Sequence, residues 1–372
     1  MTSRAQDLRY MTLALRLAAR GQGTTSPNPM VGALVVKRGR IIGQGYHLRS
    51  GQPHAEILAL RQAGKQARGA TLYVTLEPCC HLKKRTPPCA PVVVHSGVSR
   101  VVIAMSDPNP SVKGRGVAQL RRAGLTVTTG VARREAEELN RAYSHWIRTK
   151  RPYVTLKAGM TLDGKIATAS GDSRWITSTM SRQEVHELRG QVDAVLVGVG
   201  TVLADNPSLT ARTGAQLRNL AARQPLRIIV DSRLRVPSNA QVLSQQHKAR
   251  TLVATTRFAP AVRVRAIQKK GIEAAVFPAI RGRVSLPALL KELGRRGIIS
   301  LLVEGGSEMN AAMLKAKLVN HVRFYVAPTL LGGRDAKAVI GGKSPVRLVQ
   351  ALKLRNVHIR SVADDVVVEG DV

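Results

Sequence analysis

Two α/β units in tandem are the fold class this sequence predicts, and three observations predict it. A chain of 372 residues exceeds what one hydrophobic core usually organises, so two domains are expected. Short apolar runs alternate with stretches of helical periodicity in both halves, the pattern of helices layered on a sheet. Between the halves, "RTKRPYVTLK" takes a long amphipathic helix, ending near Arg148, into a basic turn with Pro152 and then a new strand. The units are accordingly drawn as 1–148 and 149–372.

The elements follow in order. Leu8, Met11, Leu15 and Ala18 fall at helical spacing, so the first segment reads as a packed helix starting near Ala5, although its basic residues imitate a transit peptide. "GALVVK", "IIGQGY", "TLYVTL", "RVVIAM" and "LTVTTG" read as strands, with helices opening near His54, Pro88, Gly116 and Arg133. In the second half the strands are "YVTLKAGM", "DAVLVGVG", "LRIIVD", "TLVATT", "AAVFP", "ISLLVEGG", "HVRFYVAP" and "DDVVVEG". Helices are read at Ser181 to Arg189, Ala261 to Lys270 and Ser307 to Ala316. "RTGAQLRNLAARQP" reads as a surface insertion, and there is no internal repeat or low-complexity tract.

Composition narrows the class. Hydrophobic residues make up 44%, enough for globular cores, yet no apolar run approaches the roughly 20 residues that span a bilayer, so the expectation is a soluble, cytoplasmic protein without a membrane partner. A net charge of +35 favours anionic partners. The basic residues are spread along both halves, however, and only 3% of residues are aromatic, so a base-stacking platform is poorly supplied and nucleic-acid binding is expected to be at most non-specific.

All three cysteines lie in "TLEPCCHLKKRTPPC". An odd number crowded into one segment argues for a metal or a reactive thiol rather than a disulfide framework. Upstream, "PHAEILAL" opens a helix with His54 and Glu56. A metal that activates water needs a few soft or imidazole ligands, an open position, and a carboxylate to move protons. His54, Cys79 and Cys89 supply the ligands and Glu56 the proton shuttle; at the first turn of a helix both His54 and Glu56 can reach a metal lying off its end. Zinc, one per chain, is the cofactor this set suits. H-x-E followed by P-C and a later Cys is the pattern of nucleobase deaminases, in which water attacks an amidine carbon. Here ten positions rather than three separate Cys79 from Cys89, which points to a subfamily.

Those residues, with "TTSPNPMVGALVV" before them and "DPNP" and "KGRG" after, resemble the deaminase domain of the bifunctional riboflavin-biosynthesis deaminase-reductases. The resemblance spans about residues 6–145. It implies a cytidine-deaminase-like α/β/α sandwich, with Asn28 and His47 lining a pyrimidine pocket. The sequence departs from the family pattern at Cys80 and in a loop one residue longer, through "LKK". Cys80 or His81 thus competes as a ligand, but Cys79 directly follows Pro78, where the pattern places the ligand.

The second half has no G-x-G-x-x-G after its first strand, which disfavours a Rossmann dehydrogenase. "LLVEGGSEMNAAML" instead leads a strand through two glycines into a helix, a geometry that brings backbone amides to a phosphate or makes only a tight turn. "LKAGMTLDGKIA", "SGDSRWITS", "VGVGTVLADNPSLTAR", "VDS" and "VEGGSEMNAAML" resemble, in order, the reductase half of the same family, from about residue 152 onward. The resemblance implies a dihydrofolate-reductase-like fold and NADPH as hydride donor. It places the cofactor against Gly159, Trp175, Thr201, Ser232 and Gly306, Ser307, Glu308, Met309, Asn310, Ala311 and Ala312. Substrate contacts fall on Ser173, Arg189, Asp205, Leu209, Arg212 and Glu304. Arg189 and Arg212 suit a phosphate clamp, and Asp205 suits sugar hydroxyls or proton transfer, with Lys157 a further acid. Against these, Asp205 before "NP" is also plain turn chemistry, and Lys157 also reads as a strand-edge charge.

The function expected is deamination of 2,5-diamino-6-(5-phosphoribosylamino)pyrimidin-4(3H)-one by zinc-activated water, then NADPH reduction of the ribosyl group to ribityl. The partner is a phosphorylated pyrimidine; a homo-oligomer is compatible with the sequence. The rival readings are a transfer-RNA-type deaminase with an accessory domain, and a nucleic-acid-binding protein with structural zinc.

Overall fold

The computed structural model describes residues 4–81, 86–212 and 224–372, so "LKK" and most of the "RTGAQLRNLAARQP" insertion lie outside the described residues. Contacts divide the chain into two units, Met1–Lys150 and Arg151–Val372.

The first unit runs α1 (Arg4–Ala19), β1 (Gly32–Lys37), β2 (Arg40–Tyr46), α2 (Ala55–Ala63), β3 (Thr71–Leu76), α3 (Cys89–His95), β4 (Arg100–Met105), α4 (Arg115–Arg122), β5 (Thr126–Thr129), α5 (Arg133–Leu139) and α6 (Arg141–Thr149). Its sheet has the order β2-β1-β3-β4-β5, with β1 antiparallel to β2 and β3, and β3, β4 and β5 parallel. Two glycines show how helices cover both faces. A Cβ on Gly32 would lie 2.0 Å from the Ala14 carbonyl of α1, and one on Gly43 would lie 2.1 Å from the Ala59 carbonyl of α2. Gly43 pairs across the ladder with Val35, whose side chain points opposite to that of Gly32 three residues earlier, so α1 and α2 sit on opposite faces.

Two sequence expectations need correction here. The buried stripe of α1 is Asp7, Tyr10, Met11, Ala14 and Ala18, while Leu8 is exposed. The stripe is rotated because Asp7 is drawn inward by Arg100 at 2.7 Å and by the Tyr73 hydroxyl at 2.9 Å. The single long helix expected from Arg133 to Arg148 is two helices, broken at Asn140. That side chain is 2% exposed and is occupied elsewhere: Oδ1 accepts from Met30 N at 2.8 Å and Nδ2 donates to Met30 O at 3.0 Å. A buried amide satisfied by a distant loop outweighs helical continuity.

The second unit runs β6 (Tyr153–Thr161), β7 (Lys165–Ala167), α7 (Thr179–Gln191), β8 (Ala194–Gly198), α8 (Val199–Asp205), β9 (Leu226–Val230), α9 (Gln241–Ser244), β10 (Thr251–Thr255), α10 (Ala261–Lys269) and β11 (Glu273–Val276). It continues with β12 (Ala279–Ile280), β13 (Arg283–Val284), α11 (Leu286–Arg295), β14 (Ser300–Val303), α12 (Ser307–Lys315), β15 (His321–Ala327), β16 (Lys337–Ala338), β17 (Arg355–Val362) and β18 (Asp365–Asp371). The main sheet has the order β11-β10-β9-β8-β14-β6-β15-β18-β17, parallel through β15 and antiparallel in the last two pairings. Alternate residues of its strands feed separate cores: Leu196, Ile228 and Leu301 pack with Leu289 and Leu293, whereas Val195, Ile229 and Leu302 pack with Val202 and Ile267. Burial on both faces is why these strands read as unbroken apolar runs.

The same continuity hid a boundary. "DAVLVGVG" is strand only to Gly198, and the chain turns at once into α8. Lys157 is not a strand-edge charge either, because β6 lies between β14 and β15. From β8 the chain steps outward through β9 to β11, then returns to lay β14 on the other side of β8. Such a reversal leaves a crevice beyond the carboxyl ends of the flanking strands, a general place for ligands in parallel sheets.

Candidate active sites

In the first unit a cavity of about 540 Å³ opens over the carboxyl end of β3. His54 is the N-cap of α2, Cys79 follows β3 by three residues, and Cys89 is the first residue of α3, so two helix starts and a strand end converge. The ligand atoms of His54, Cys79 and Cys89 lie within 4.8 Å of one another. His54 Nδ1 stands 3.2 Å from Cys89 Sγ and 3.6 Å from Cys79 Sγ, while its Nε2 faces Thr86 Oγ1 at 3.1 Å. The inward nitrogen is thus Nδ1. The backbone N–H of Cys89 donates to Cys79 Sγ at 3.3 Å, a contact that favours the thiolate. Cys80 stays outside this cluster, its thiol 3.9 Å from the Ser111 carbonyl.

Glu56 is 3% exposed, and its Oε2 finds no hydrogen-bond partner among the described residues. Burial, reinforced by Cys79, pushes its carboxyl above the ordinary range. Two soft thiols and one imidazole form a donor set that fits a tetrahedral metal with one position left for water, and the unsatisfied carboxylate is buried beside it. Glu77, by contrast, is structural: it accepts from the backbone N–H groups of Gly114 at 3.0 Å and Val117 at 3.1 Å.

Asn28 and His47 line the same cavity and meet at 3.0 Å, Nδ2 to Nε2; burial pushes the His47 imidazole down. His81, Asp107, Asn109, Tyr143 and Trp146 complete much of the wall. Asp107 accepts from the Tyr143 hydroxyl at 3.1 Å, and burial raises its carboxyl to about 6. Of these, Thr86, Asp107 and Asn109 went unread as site residues although they stand inside "RTPPC" and "DPNP". Tyr143 and Trp146 carried no signal beyond helical periodicity.

In the second unit a cavity of about 720 Å³ occupies the crevice beyond β8, β9 and β14. Thr201, Ser232, Gly306, Ser307, Glu308, Met309 and Ala312 line it, as do Ser173 and Asp205. Gly305 and Gly306 take φ of 74° and 55°, carrying the chain from β14 into α12. Thr201 Oγ1 donates to the Gly305 carbonyl at 3.1 Å, fixing that turn against α8. Ser173 Oγ donates to Asp205 Oδ1 at 3.1 Å.

The remaining expected contacts stand elsewhere. Gly159, Asn310, Ala311 and Leu209 are not on the cavity wall. Asn310 donates from Nδ2 to the Val339 carbonyl at 2.8 Å, Leu209 is buried, and Trp175 is 70% exposed with the Arg182 guanidinium 4.5 Å above its ring. Arg212, exposed, donates to Ser208 Oγ at 3.1 Å. Arg189 is committed to Glu304 by two hydrogen bonds of 2.5 and 2.8 Å and to the Thr210 carbonyl at 3.2 Å. Burial alone would raise the Glu304 carboxyl, but Arg189 overrides it and holds it below the ordinary range. Lys157 lies in the same polar group, its ammonium pushed down by burial.

Comparison with known proteins follows the same division. The family described as the RibD C-terminal domain matches residues 152–368, and the cytidine and deoxycytidylate deaminase zinc-binding region matches residues 4–105. Riboflavin biosynthesis protein RibD of Actinobacillus pleuropneumoniae is 44% identical, covering 98% of this chain and 94% of that protein. Its namesake in Escherichia coli is 43% identical over 97% of this chain and 98% of its own length. Among solved structures, Acinetobacter baumannii RibD superposes with a TM-score of 0.89 at 38% identity, covering 99% of each chain. A diaminohydroxyphosphoribosylaminopyrimidine deaminase/5-amino-6-(5-phosphoribosylamino)uracil reductase of Thermotoga maritima gives 0.85 at 37% identity, again over 99% of each. Similar along both halves in sequence and in shape, the chain belongs to the RibD family of riboflavin biosynthesis proteins.

Proposed function

We propose that this chain carries out two consecutive steps of riboflavin synthesis, one in each unit. Residues 1–148 deaminate 2,5-diamino-6-(5-phosphoribosylamino)pyrimidin-4(3H)-one, and residues 149–372 reduce the ribosyl group of the resulting aminouracil phosphate with NADPH. The observation that carries the reading is the pairing of a His54–Cys79–Cys89 cage with a buried, unsatisfied Glu56 beside it.

His54 through Nδ1 and the two thiolates would hold zinc, which when bound supplies Lewis acidity that makes water a nucleophile near neutral pH. Glu56 does the proton work. Its Oε2 takes the proton released as water adds to the amine-bearing ring carbon, and returns it to the leaving nitrogen, so ammonia departs and a carbonyl replaces the amine. Asn28 and His47, already joined to each other, present polar atoms to the pyrimidine edge. Two thiolate ligands and a reduced cofactor suit the cytoplasm, where cysteines are kept reduced.

In the reductase unit the residues lining the cavity beyond β8, β9 and β14 would hold NADPH, which when bound would supply the hydride for reduction at C1 of the opened sugar imine. Asp205, held by Ser173 at the cavity wall, binds the sugar hydroxyls and is the proposed proton source for the imine nitrogen. Lys157 is the second candidate donor, because burial brings its ammonium closer to neutral pH. Arg189, held by Glu304, keeps its expected role as a contact for the substrate phosphate in this reading. Incubating the chain with the ribosylamine substrate and NADPH, and measuring ammonia and NADP⁺ together, tests the whole assignment. Formation of neither product overturns it.

A further inference from the structure

Arg227, the second residue of β9, is fully buried and still carries a charge. It shares the sheet face of Ile229, which packs with Val202 of α8. Among the described residues no carboxylate meets it, and burial lowers its guanidinium to about 10, so the group stays protonated at neutral pH. Three carbonyls receive it instead: Nη1 donates to Ser208 at 3.1 Å, and Nη2 donates to Gln245 at 3.1 Å and to Ala249. Taking a charge out of water is costly, and a leucine would fill this core without that cost, so the arginine is explained by what its bonds fix. They fix the segment that follows the cavity wall. Asp205 ends α8 and lines the cavity, and Leu209 and Arg212 come after it. Asn206 and Leu209 take φ of 42° and 53°, left-handed values that a residue with a side chain holds only when its surroundings impose them. Asn206 Oδ1 accepts from the Gln241 N–H at 2.8 Å, and the Thr210 carbonyl accepts from Arg189 at 3.2 Å. Between these two ties, and between the two left-handed residues, the charge-assisted bond of Arg227 takes the Ser208 carbonyl. Ser208 Oγ in turn accepts from Arg212 at 3.1 Å, so one serine joins the buried arginine to the exposed one.

We infer that Arg227 is a positioning residue of the reductase: through Ser208 it holds Asp205 and Arg212 where they meet the sugar phosphate, without itself touching substrate or cofactor. The inference rests on the proposed reduction of the aminouracil phosphate. Arg227 does not reach the cavity wall, so its influence passes through the segment it holds. That segment belongs to one side of the cavity only. The glycine turn into α12 hangs on Thr201, near the start of α8, and takes no bond from Arg227. Loss of Arg227 therefore disturbs the far end of α8 and the residues after it, and leaves the turn in place. Arginine suits the task because its rigid fork reaches carbonyls of two segments at once, which the single ammonium of a lysine does less well.

The test uses the full chain reducing the deaminated intermediate with NADPH. Arg227→Met keeps an unbranched side chain in the core and removes every donor. Its kcat should fall about 10- to 100-fold, the scale on which a small misplacement of a catalytic group acts. The KM for the aminouracil phosphate should rise while the KM for NADPH and the rate of ammonia release stay unchanged. Arg227→Lys, which keeps the charge without the fork, should recover part of kcat. A double-mutant cycle with Asp205→Asn separates positioning from mere support of the fold. Where Asp205 is already disabled, adding Arg227→Met should lower kcat by less than about twofold, because the two changes act on one group, whereas a loss of folded protein multiplies through in full. Full multiplication of the two losses, or equal rises in both KM values, would make Arg227 a general support and overturn the inference. Unaltered kinetics would overturn it too. Should Arg227→Met fail to fold, Arg227→Lys carries the same cycle, and failure of both to fold also overturns positioning. If the unaltered chain does not oxidise NADPH with the deaminated intermediate, the reductase reading falls first and takes this inference with it; if it does and Arg227→Met matches it, the inference alone falls.

Discussion

The two units make their sites in opposite ways. In the first, a few side chains carry the chemistry, and three short segments deliver them to one spot: His54 and Glu56 from the start of α2, Cys79 from the end of β3, Cys89 from the start of α3. In the second, the cavity is walled by strand ends, a glycine turn and a hairpin, with lining residues drawn from many segments of the unit. A metal accepts few donor types in a narrow geometry, so its site cannot be built from substitutes. A dinucleotide is held by many weak contacts over a long surface, so single residues there are individually replaceable and local mutation should do less.

The sharpest way to break this contrast is to remove a cage residue. Cys79→Ala or Cys89→Ala should lose the roughly one zinc per chain that a three-ligand site holds, and deamination with it, while NADPH oxidation on the deaminated intermediate persists. Cys80→Ala should keep its zinc, since Cys80 lies outside the cluster. Metal analysis of the three purified variants decides the matter: an empty Cys80→Ala beside a loaded Cys79→Ala would reassign the ligand.

Next in size is a crossed pair. Glu56→Gln keeps the shape but cannot carry a proton, so ammonia release should fall by about 10²–10⁴-fold with zinc retained and reduction intact. Asp205→Asn should do the reverse, lowering NADPH oxidation and sparing ammonia release. Each variant is assayed on both substrates. If Glu56→Gln, still folded, stops reduction of the deaminated intermediate, the two centres are not independent and the comparison fails.

The reductase unit hides one place where a single residue should matter as much for stability as a cage residue does for chemistry. Arg189→Met leaves the Glu304 carboxylate buried without its guanidinium, a change that costs about 3–5 kcal/mol when one partner of a buried pair is removed. Arg189→Met/Glu304→Gln should recover part of the loss. Urea unfolding followed through the reductase activity measures both. A loss below about 1 kcal/mol would mean that Lys157 or water takes over the carboxylate, and that the pair is a surface-like one.

What the sequence revealed tracks the same contrast. The cage residues were legible because H-x-E and P-C are chemistry written in side chains, and the strands of the first unit because alternation and turns bound them. Less legible was anything decided by tertiary satisfaction. Nothing in "AEELNRAYSH" says that Asn140 will spend its amide on Met30 and split a helix. The apolar run continues past Gly198, and its two isolated glycines read as well as strand residues as a boundary, so periodicity does not place the passage from β8 into α8. Helix α11 did carry a signal, Ser285 as N-cap with Pro287 in the first turn, which went unread beneath the leucine-rich run. Arg189 reads as a phosphate clamp because its type suits one; only the structure brings Glu304, 115 residues later, into bidentate contact.

The smallest expected effect falls in the first unit, and it asks how far the cage's strictness extends. Thr86 does not belong to the donor set, yet its Oγ1 stands 3.1 Å from His54 Nε2 while Nδ1 faces the thiols. A hydroxyl that accepts from Nε2–H keeps the proton on that nitrogen and leaves the Nδ1 lone pair for the metal, the usual task of a group behind a histidine ligand. Thr86→Val preserves volume and branching and removes the acceptor. Zinc affinity, measured by competition with a chelator of known strength, should weaken by about 10–100-fold, with the three ligands and Glu56 untouched. Thr86→Ser, which restores the hydroxyl, should recover most of it. If Val and Ser bind zinc as tightly as Thr, the histidine is oriented by packing alone, and the strict geometry of the first site ends at its three ligands.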